Sequence, residues 1–239
     1  FFQKLLQNTT ERLLRISKGI LSMQNNEEHN INYEYITRYI RRTMKKNEGL
    51  LADMEEYAKV HEVPIAQPET AKLIENLIRM SPSKKVLEIG SAIGYSSIIM
   101  ANAGADVTTI ERDENMFEPL FSNIEKAGHK DKIHVHQGDA LEILDTIDDK
   151  FDFVFVDAAK GQYLEFLPHC MRMLKVGGIM FSDNILYKGM VATDELYKRR
   201  KVTIIRRLRD YLDTICNMDE LSTVIVPIGD GAAISYRLK

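Results

Sequence analysis

The sequence predicts an α/β fold: a mostly parallel, seven-stranded sheet with helices on both faces and an antiparallel strand at its C-terminal end. Two observations carry this. Between positions 86 and 182, short apolar runs alternate with helix-patterned stretches, and strands apolar along their length need cover on both faces. Further on, two more strand-like runs flank Gly229-Asp230-Gly231, which reads as a hairpin turn.

The elements follow in order. Residues 1–21 set Leu5-Leu6, Leu13-Leu14 and Ile20-Leu21 among Lys4, Arg12, Arg15 and Lys18, the pattern of an amphipathic helix. Residues 24–30 are a polar break. So 1–31 reads as an N-terminal extension, helical or poorly ordered, and 32–239 as the main domain with its own N-terminal helices. The pattern over 33–46 predicts a helix with Ile36 and Ile40 on one side and a basic strip of Arg38, Arg41, Arg42, Lys45 and Lys46. The next helix, 50–60, carries Leu51, Met54 and Ala58 at helical spacing and ends before Pro64. Pro68 suits the first position of a helix bearing Leu73, Ile74, Leu77 and Ile78. Strands are expected at 86–89, 107–110, 133–136, 151–156, 179–182, 221–226 and 232–237. Helices are expected around 95–102, 114–127, 140–147, 162–174 and 194–216. On the last, Val202, Ile205, Leu208 and Leu212 should face the core.

Composition narrows the function. A chain of 239 residues suits one large domain with an appendage, and 44% hydrophobic residues suffice for a core. A net charge of −3 argues against nucleic-acid binding through bulk charge and leaves only local clusters. Cys170 and Cys216 have neither metal-ligand nor redox spacing, so both read as small core residues in a reducing, cytoplasmic setting. No apolar run approaches a membrane span, and no signal peptide is evident. The histidines are scattered, which argues against zinc; His134 and His136 read as one half-exposed strand face.

The chain is organised around Val86-Leu87-Glu88-Ile89-Gly90-Ser91-Ala92-Ile93-Gly94-Tyr95-Ser96. A strand, a glycine turn and a helix N-terminus make a ligand cradle, because the first helical N–H groups lack internal partners. The spacing from Gly90 to Gly94 is not the dinucleotide fingerprint. Glu88 beside the turn would repel a pyrophosphate and welcome a cation. S-adenosylmethionine, with a sulfonium and no phosphate, suits that setting; an ordinary turn with a solvated glutamate reads the same way.

Ligands of open α/β sheets bind beyond the carboxyl ends of the strands. There the sequence places Glu88, Glu111, Asp139, Asp157 and Asp183-Asn184. Glu111 can accept ribose hydroxyls, and Asp139 an adenine amino group. Any single acid could be a helix cap or a turn former. Five at consecutive strand ends should face one crevice and repel each other, so a cation is expected there. Asp157, Asp183 and Asn184 offer hard oxygen donors suited to Mg²⁺. Lys160 can serve as a general base, or be a solvated surface lysine.

These residues resemble a known family. The stretch 86–96, Glu111, Asp157-Ala158-Ala159-Lys160 and Asp183-Asn184-Ile185-Leu186-Tyr187-Lys188-Gly189 are similar to the cation-dependent O-methyltransferases, relatives of the catechol and caffeoyl-CoA enzymes. The similarity runs from about Tyr33 to Leu238 and includes Val63-Pro64-Ile65 and Pro227-Ile228-Gly229-Asp230-Gly231. Within the family, Asp157-Ala158-Ala159-Lys160-Gly161-Gln162-Tyr163 and Lys198-Arg199-Arg200-Lys201 resemble the bacterial tRNA 5-hydroxyuridine methyltransferases. The resemblance implies the class I S-adenosylmethionine-dependent, Rossmann-like methyltransferase fold. It implies that Glu88, Gly90, Ser96, Glu111, Asp139, Ala140 and Asp157 hold S-adenosylmethionine. It further implies Mg²⁺ on Asp157, Asp183 and Asn184, with Lys160 and Asp157 catalytic.

Three functions are then in play. The first is methylation of 5-hydroxyuridine at the tRNA wobble position, the anticodon loop meeting Lys188, Arg199, Arg200, Lys201, Arg41 and Arg42. The alternative is a small hydroxylated aromatic substrate. The third, a silent binding protein on the same fold, is disfavoured by the intact Asp157, Asp183, Asn184 and Lys160 set. A homodimer is expected.

Overall fold

The computed structural model describes residues 31–81, 84–196 and 199–239, and Ile31–Lys239 forms one unit. The helix expected over 1–21 and the polar break at 24–30 lie outside the described residues, as does Lys198.

Three helices come first: α1 (Glu34–Thr43), α2 (Leu50–Val60) and α3 (Pro68–Met80). Alternation follows: β1 (Lys85–Ile89), α4 (Tyr95–Asn102), β2 (Asp106–Glu111), α5 (Glu114–Lys126), β3 (Ile133–Gln137), α6 (Ala140–Thr146), β4 (Phe151–Val156), α7 (Tyr163–Met173) and β5 (Leu174–Ser182). Helix α8 (Val202–Asn217) leads into the hairpin of β6 (Leu221–Val226) and β7 (Ala232–Arg237).

The seven strands lie in the order β3-β2-β1-β4-β5-β7-β6. Strands β1 to β5 run parallel, and β7 runs antiparallel between β5 and β6. The order reverses between β1 and β4, and a crevice opens at the carboxyl end of a sheet at such a point. Both strands are fully covered: Val86, Leu87, Ile89, Phe153, Val154, Phe155 and Val156 are all buried. Helix α4 is buried from Tyr95 through Ala101, as a helix without a polar face must be.

Several expectations change. Strand β5 begins at Leu174, five residues early, and the strand continues through Gly178, where close backbone approach leaves no room for a side chain. A Cβ on Gly178 would lie 2.9 Å from the Asp152 carbonyl and 2.8 Å from that of Lys175. Helix α8 starts at Val202, not near 194. Ahead of it Glu195 N–H donates to Thr193 Oγ1, a local bond that competes with helix, and Arg199–Lys201 make a 3₁₀ turn. Ile205, Leu208 and Leu212 are buried as expected, but Val202, in the first turn, is 40% exposed. On α1 the buried residue is Thr37, while Ile36 and Ile40 are exposed. Cys170 is buried. Cys216 is exposed, since one helical step turns it away from buried Ile215.

Candidate active site

The turn after β1 shapes the crevice floor. Gly90 (φ 97°) donates to Ile110 O at 2.9 Å, and a Cβ on it would collide with the Asp157 carbonyl. Only glycine lets the β1 and β4 ends approach this closely. Ala92 (φ 46°) and Gly94 (φ 85°) continue the turn in the left-handed region, and α4 begins at Tyr95.

Glu88 does not enter the crevice. It lies fully buried under α4, where the Ser96 and Ser97 hydroxyls donate to its two oxygens. Burial pushes its carboxyl up to about 7, against the lowering effect of those hydroxyls. The expected direct contact between Glu88 and a ligand is therefore corrected: Glu88 anchors the first turn of α4. Ser96 faces the crevice with its hydroxyl committed to Glu88.

The other acids are not mutually exposed charges either. Glu111, 9% exposed, accepts from the backbone N–H of Ala92 (2.7 Å), Arg112 (2.9 Å) and Asp113 (2.8 Å). Its carboxylate thus ties the β1 and β2 turns together at the crevice wall. Asp139 caps α6 by accepting from Leu141 N–H at 3.0 Å, with Arg112 3.8 Å away. Both keep acceptor capacity toward the crevice, which also contains Ala140.

The crevice encloses about 280 Å³. Its apolar walls include Ile65, Met116 and Phe166. Ser91, which the sequence reading passed over, sits there 3% exposed with no hydrogen-bond partner for its hydroxyl among the described residues. Its position one residue after Gly90 is the signal that could have found it.

At one end Asp157, Lys160 and Asn184 line the crevice together. Asp183 lies just beneath, 1% exposed. Its Oδ1 accepts from Asn184 N–H at 2.7 Å, while its Oδ2 is buried without a partner among the described residues. Burial and the neighbouring Asp157 charge push the Asp183 carboxyl well above the carboxylate range; burial also raises Asp157, opposed by Lys160. Among the described residues no three His, Cys, Asp or Glu side chains cluster as a metal site. Two carboxylates with an amide nevertheless fit Mg²⁺, which keeps most of its ligands as water and substrate. The orphaned Asp183 oxygen is the observation that favours a cation.

The basic candidates divide. Arg41 is tied to Glu69 at 2.8 Å and to Gln67, and lines a separate cavity with Lys45 and Lys46, so it does not serve this crevice. Arg42 lies over the Tyr39 ring, 5.5 Å from its centroid. Arg207 donates to Gly161 O at 2.8 Å and thereby holds the 3₁₀ turn that begins at Lys160. Arg209 pairs with Asp194 at 2.8 Å. Lys188 engages Asp230 through its backbone N–H. Arg199, Arg200 and Lys201 are exposed, and Lys201 lies 5.8 Å over the Tyr187 ring.

Comparison with known proteins identifies the family. Residues 41–238 match the sequence pattern of the O-methyltransferase family. A caffeoyl-CoA O-methyltransferase of Zea mays is 34% identical over 184 residues, covering 72% of this chain and 70% of the relative. A Staphylococcus aureus protein of known crystal structure is 33% identical with a TM-score of 0.76, covering 85% of this chain and 98% of that one. An O-methyltransferase of Bacillus cereus, solved with S-adenosylhomocysteine, shares the fold at 24% identity and a TM-score of 0.75, covering 86% and 97%. Class I methyltransferase architecture, an acid-lined crevice at the β1/β4 switch and these likenesses converge: the chain belongs to the O-methyltransferase family and is an S-adenosylmethionine-dependent O-methyltransferase.

Proposed function

We propose that the protein methylates a hydroxyl of a small aromatic substrate of the catechol or caffeoyl-CoA kind, with a divalent cation such as Mg²⁺ held by Asp157, Asp183 and Asn184. The buried Asp183 Oδ2, without a partner among the described residues, carries the cation reading. The caffeoyl-CoA relative and the apolar walls of the crevice support the substrate class. The commitment of Arg41, Arg207 and Arg209 to local partners weighs against a polyanion.

A bound cation supplies positive charge that favours the ionised form of a substrate hydroxyl. Glu111, Asp139 and the turn at Gly90 hold the methyl donor, and Ser91 adds a hydroxyl to that wall. Lys160 takes the substrate proton. S-adenosylmethionine, when bound there, would supply its sulfonium methyl group to the freed oxygen, its carbon–sulfur bond breaking to leave a neutral thioether. Orientation within the crevice supplies much of the acceleration.

The test is turnover of catechol and caffeoyl-CoA with S-adenosylmethionine. Chelation should abolish it and Mg²⁺ restore it. Undiminished turnover in chelator would exclude the cation, and inactivity on both acceptors with Mg²⁺ present would exclude the substrate class.

A second reading, methylation of tRNA 5-hydroxyuridine, is favoured by one observation. The exposed Arg199-Arg200-Lys201 run contacts, through Lys201, the Tyr187 ring in the loop that leaves Asn184.

A further inference from the structure

The loop after Asp183 is held in an unusual conformation. Asn184, Tyr187 and Lys188 have φ of 55°, 43° and 60°. Residues with a Cβ enter this region rarely, and a run of them persists only where neighbours over-determine it. The β6–β7 turn supplies the restraint. Ile185 N–H donates to Gly231 O at 2.9 Å, and Leu186 N–H to Asp230 O at 3.1 Å. Lys188 N–H then donates to the Asp230 carboxylate at 2.5 Å. Gly231 (φ 86°) leaves the space that the Leu186 side chain fills, and a Cβ there would collide with it.

Two of these bonds use backbone atoms and tolerate many side chains. The third does not. Only a short side chain with an acceptor oxygen at position 230 reaches Lys188 N–H, at the far end of the strained run. The geometry points to Asp230 as a positioning residue: by latching Lys188 to the β6–β7 turn, it holds the loop that presents Asn184 to the crevice. This rests on the role proposed above for Asn184. Asp230 also lies within electrostatic reach of Asp183 and Lys160, so a role through its charge is the competing account.

Three variants separate the accounts. Asp230→Asn keeps the acceptor oxygen in place and removes the charge. Asp230→Glu keeps the charge and moves the oxygens by one methylene. Asp230→Ala removes both. Hydrogen exchange at the Leu186 and Lys188 amides reads the latch. Steady-state kinetics with catechol and Mg²⁺ read its consequence, and calorimetry with S-adenosylmethionine serves as the control. The latch requires faster exchange in the Ala and Glu variants, with kcat/KM lowered roughly tenfold or more. Cofactor affinity should stay within about twofold, since the latch lies apart from the β1 turn. Asp230→Asn should restore slow exchange and most of kcat/KM. Wild-type behaviour in Asp230→Glu alongside a damaged Asp230→Asn would overturn the latch in favour of the charge. Unchanged exchange in Asp230→Ala would also overturn it. If Ala fails to fold, the Asn and Glu pair alone decides. Turnover that survives chelation in the wild type would remove the cation reading and leave the exchange result standing.

Discussion

Tyr163 Oη, at the start of α7, donates to the backbone carbonyl of Asp183, just past the end of β5, at 3.0 Å. The Tyr163 ring meets Tyr211 edge-on at 5.5 Å, and Tyr211 Oη shares a 2.6 Å hydrogen bond with Ser182 Oγ. Two buried tyrosines therefore pin consecutive residues at the end of β5, where the candidate cation ligands begin. Tyr163 follows Lys160 through one 3₁₀ turn, so a single short segment delivers the proposed base and ties down the neighbouring strand end.

Tyr163→Phe should cost about 1–2 kcal/mol of stability, the scale for leaving a buried carbonyl without its donor. The packing of the ring is retained, so the fold should survive. Urea denaturation of both proteins measures the difference; equal midpoints and slopes would show the hydroxyl to be dispensable.

Glu88 gives the fold a pH dependence of definite sign. Its carboxyl titrates at about 7 in the folded protein, against an ordinary 4.5. Below about pH 4.5 it is protonated in both states, and its contribution to stability is fully present. As pH rises toward 7, the unfolded chain releases a proton that the folded chain retains. Above 7 the folded chain must hold a buried charge, and the contribution is lost. Glu88→Gln mimics the neutral acid. From pH 4.5 to pH 8 the stability difference should move in the variant's favour by about 2–3 kcal/mol. A difference that stays constant with pH would mean that Glu88 titrates normally.

The sheet was legible because its signals are periodic and local: apolar runs at β1, β2, β4 and β5, and the Gly229–Gly231 turn at the hairpin. What escaped depends on three-dimensional neighbours. Glu88 reads as a crevice acid, because nothing local reveals that Ser96 and Ser97 fold back over it. The early start of β5 escapes the sequence, because a carbonyl that excludes a side chain at Gly178 belongs to β4. Arg41 reads as a free cation of a basic strip, for want of any sign that Glu69, on the third helix, would meet it. The motifs named the candidate residues; their division into those that face the crevice and those that brace it was not written there.

Glu111 should matter for cofactor affinity in two ways. It offers acceptor capacity to the crevice, and it fixes Ala92, Arg112 and Asp113 through their N–H groups. Glu111→Ala should weaken S-adenosylmethionine binding by roughly 1–3 kcal/mol, the scale for losing a charged acceptor. Calorimetry measures this. Unchanged affinity would take Glu111 out of the site.

The substrate question turns on Arg199, Arg200 and Lys201. These three are exposed, whereas Arg207 and Arg209 of α8 are occupied. Exposed cations that bind phosphates make affinity fall steeply with salt, while a small neutral aromatic has no such dependence. On the proposed function, replacing all three with alanine should leave kcat/KM for catechol within about threefold of wild type, because they lie outside the crevice. Lys201 also stacks on Tyr187, so a modest loss through the loop is built into that margin. Caffeoyl-CoA, which carries phosphates, should lose more than catechol and regain ground at low salt. The decisive comparison adds tRNA containing 5-hydroxyuridine. If the wild type methylates it efficiently, with strong salt dependence, and the triple variant loses that activity while retaining catechol turnover, the tRNA reading replaces the small-molecule one. If tRNA is a poor acceptor for both proteins at every salt concentration, the exposed run is a solvated surface and the small-molecule assignment stands.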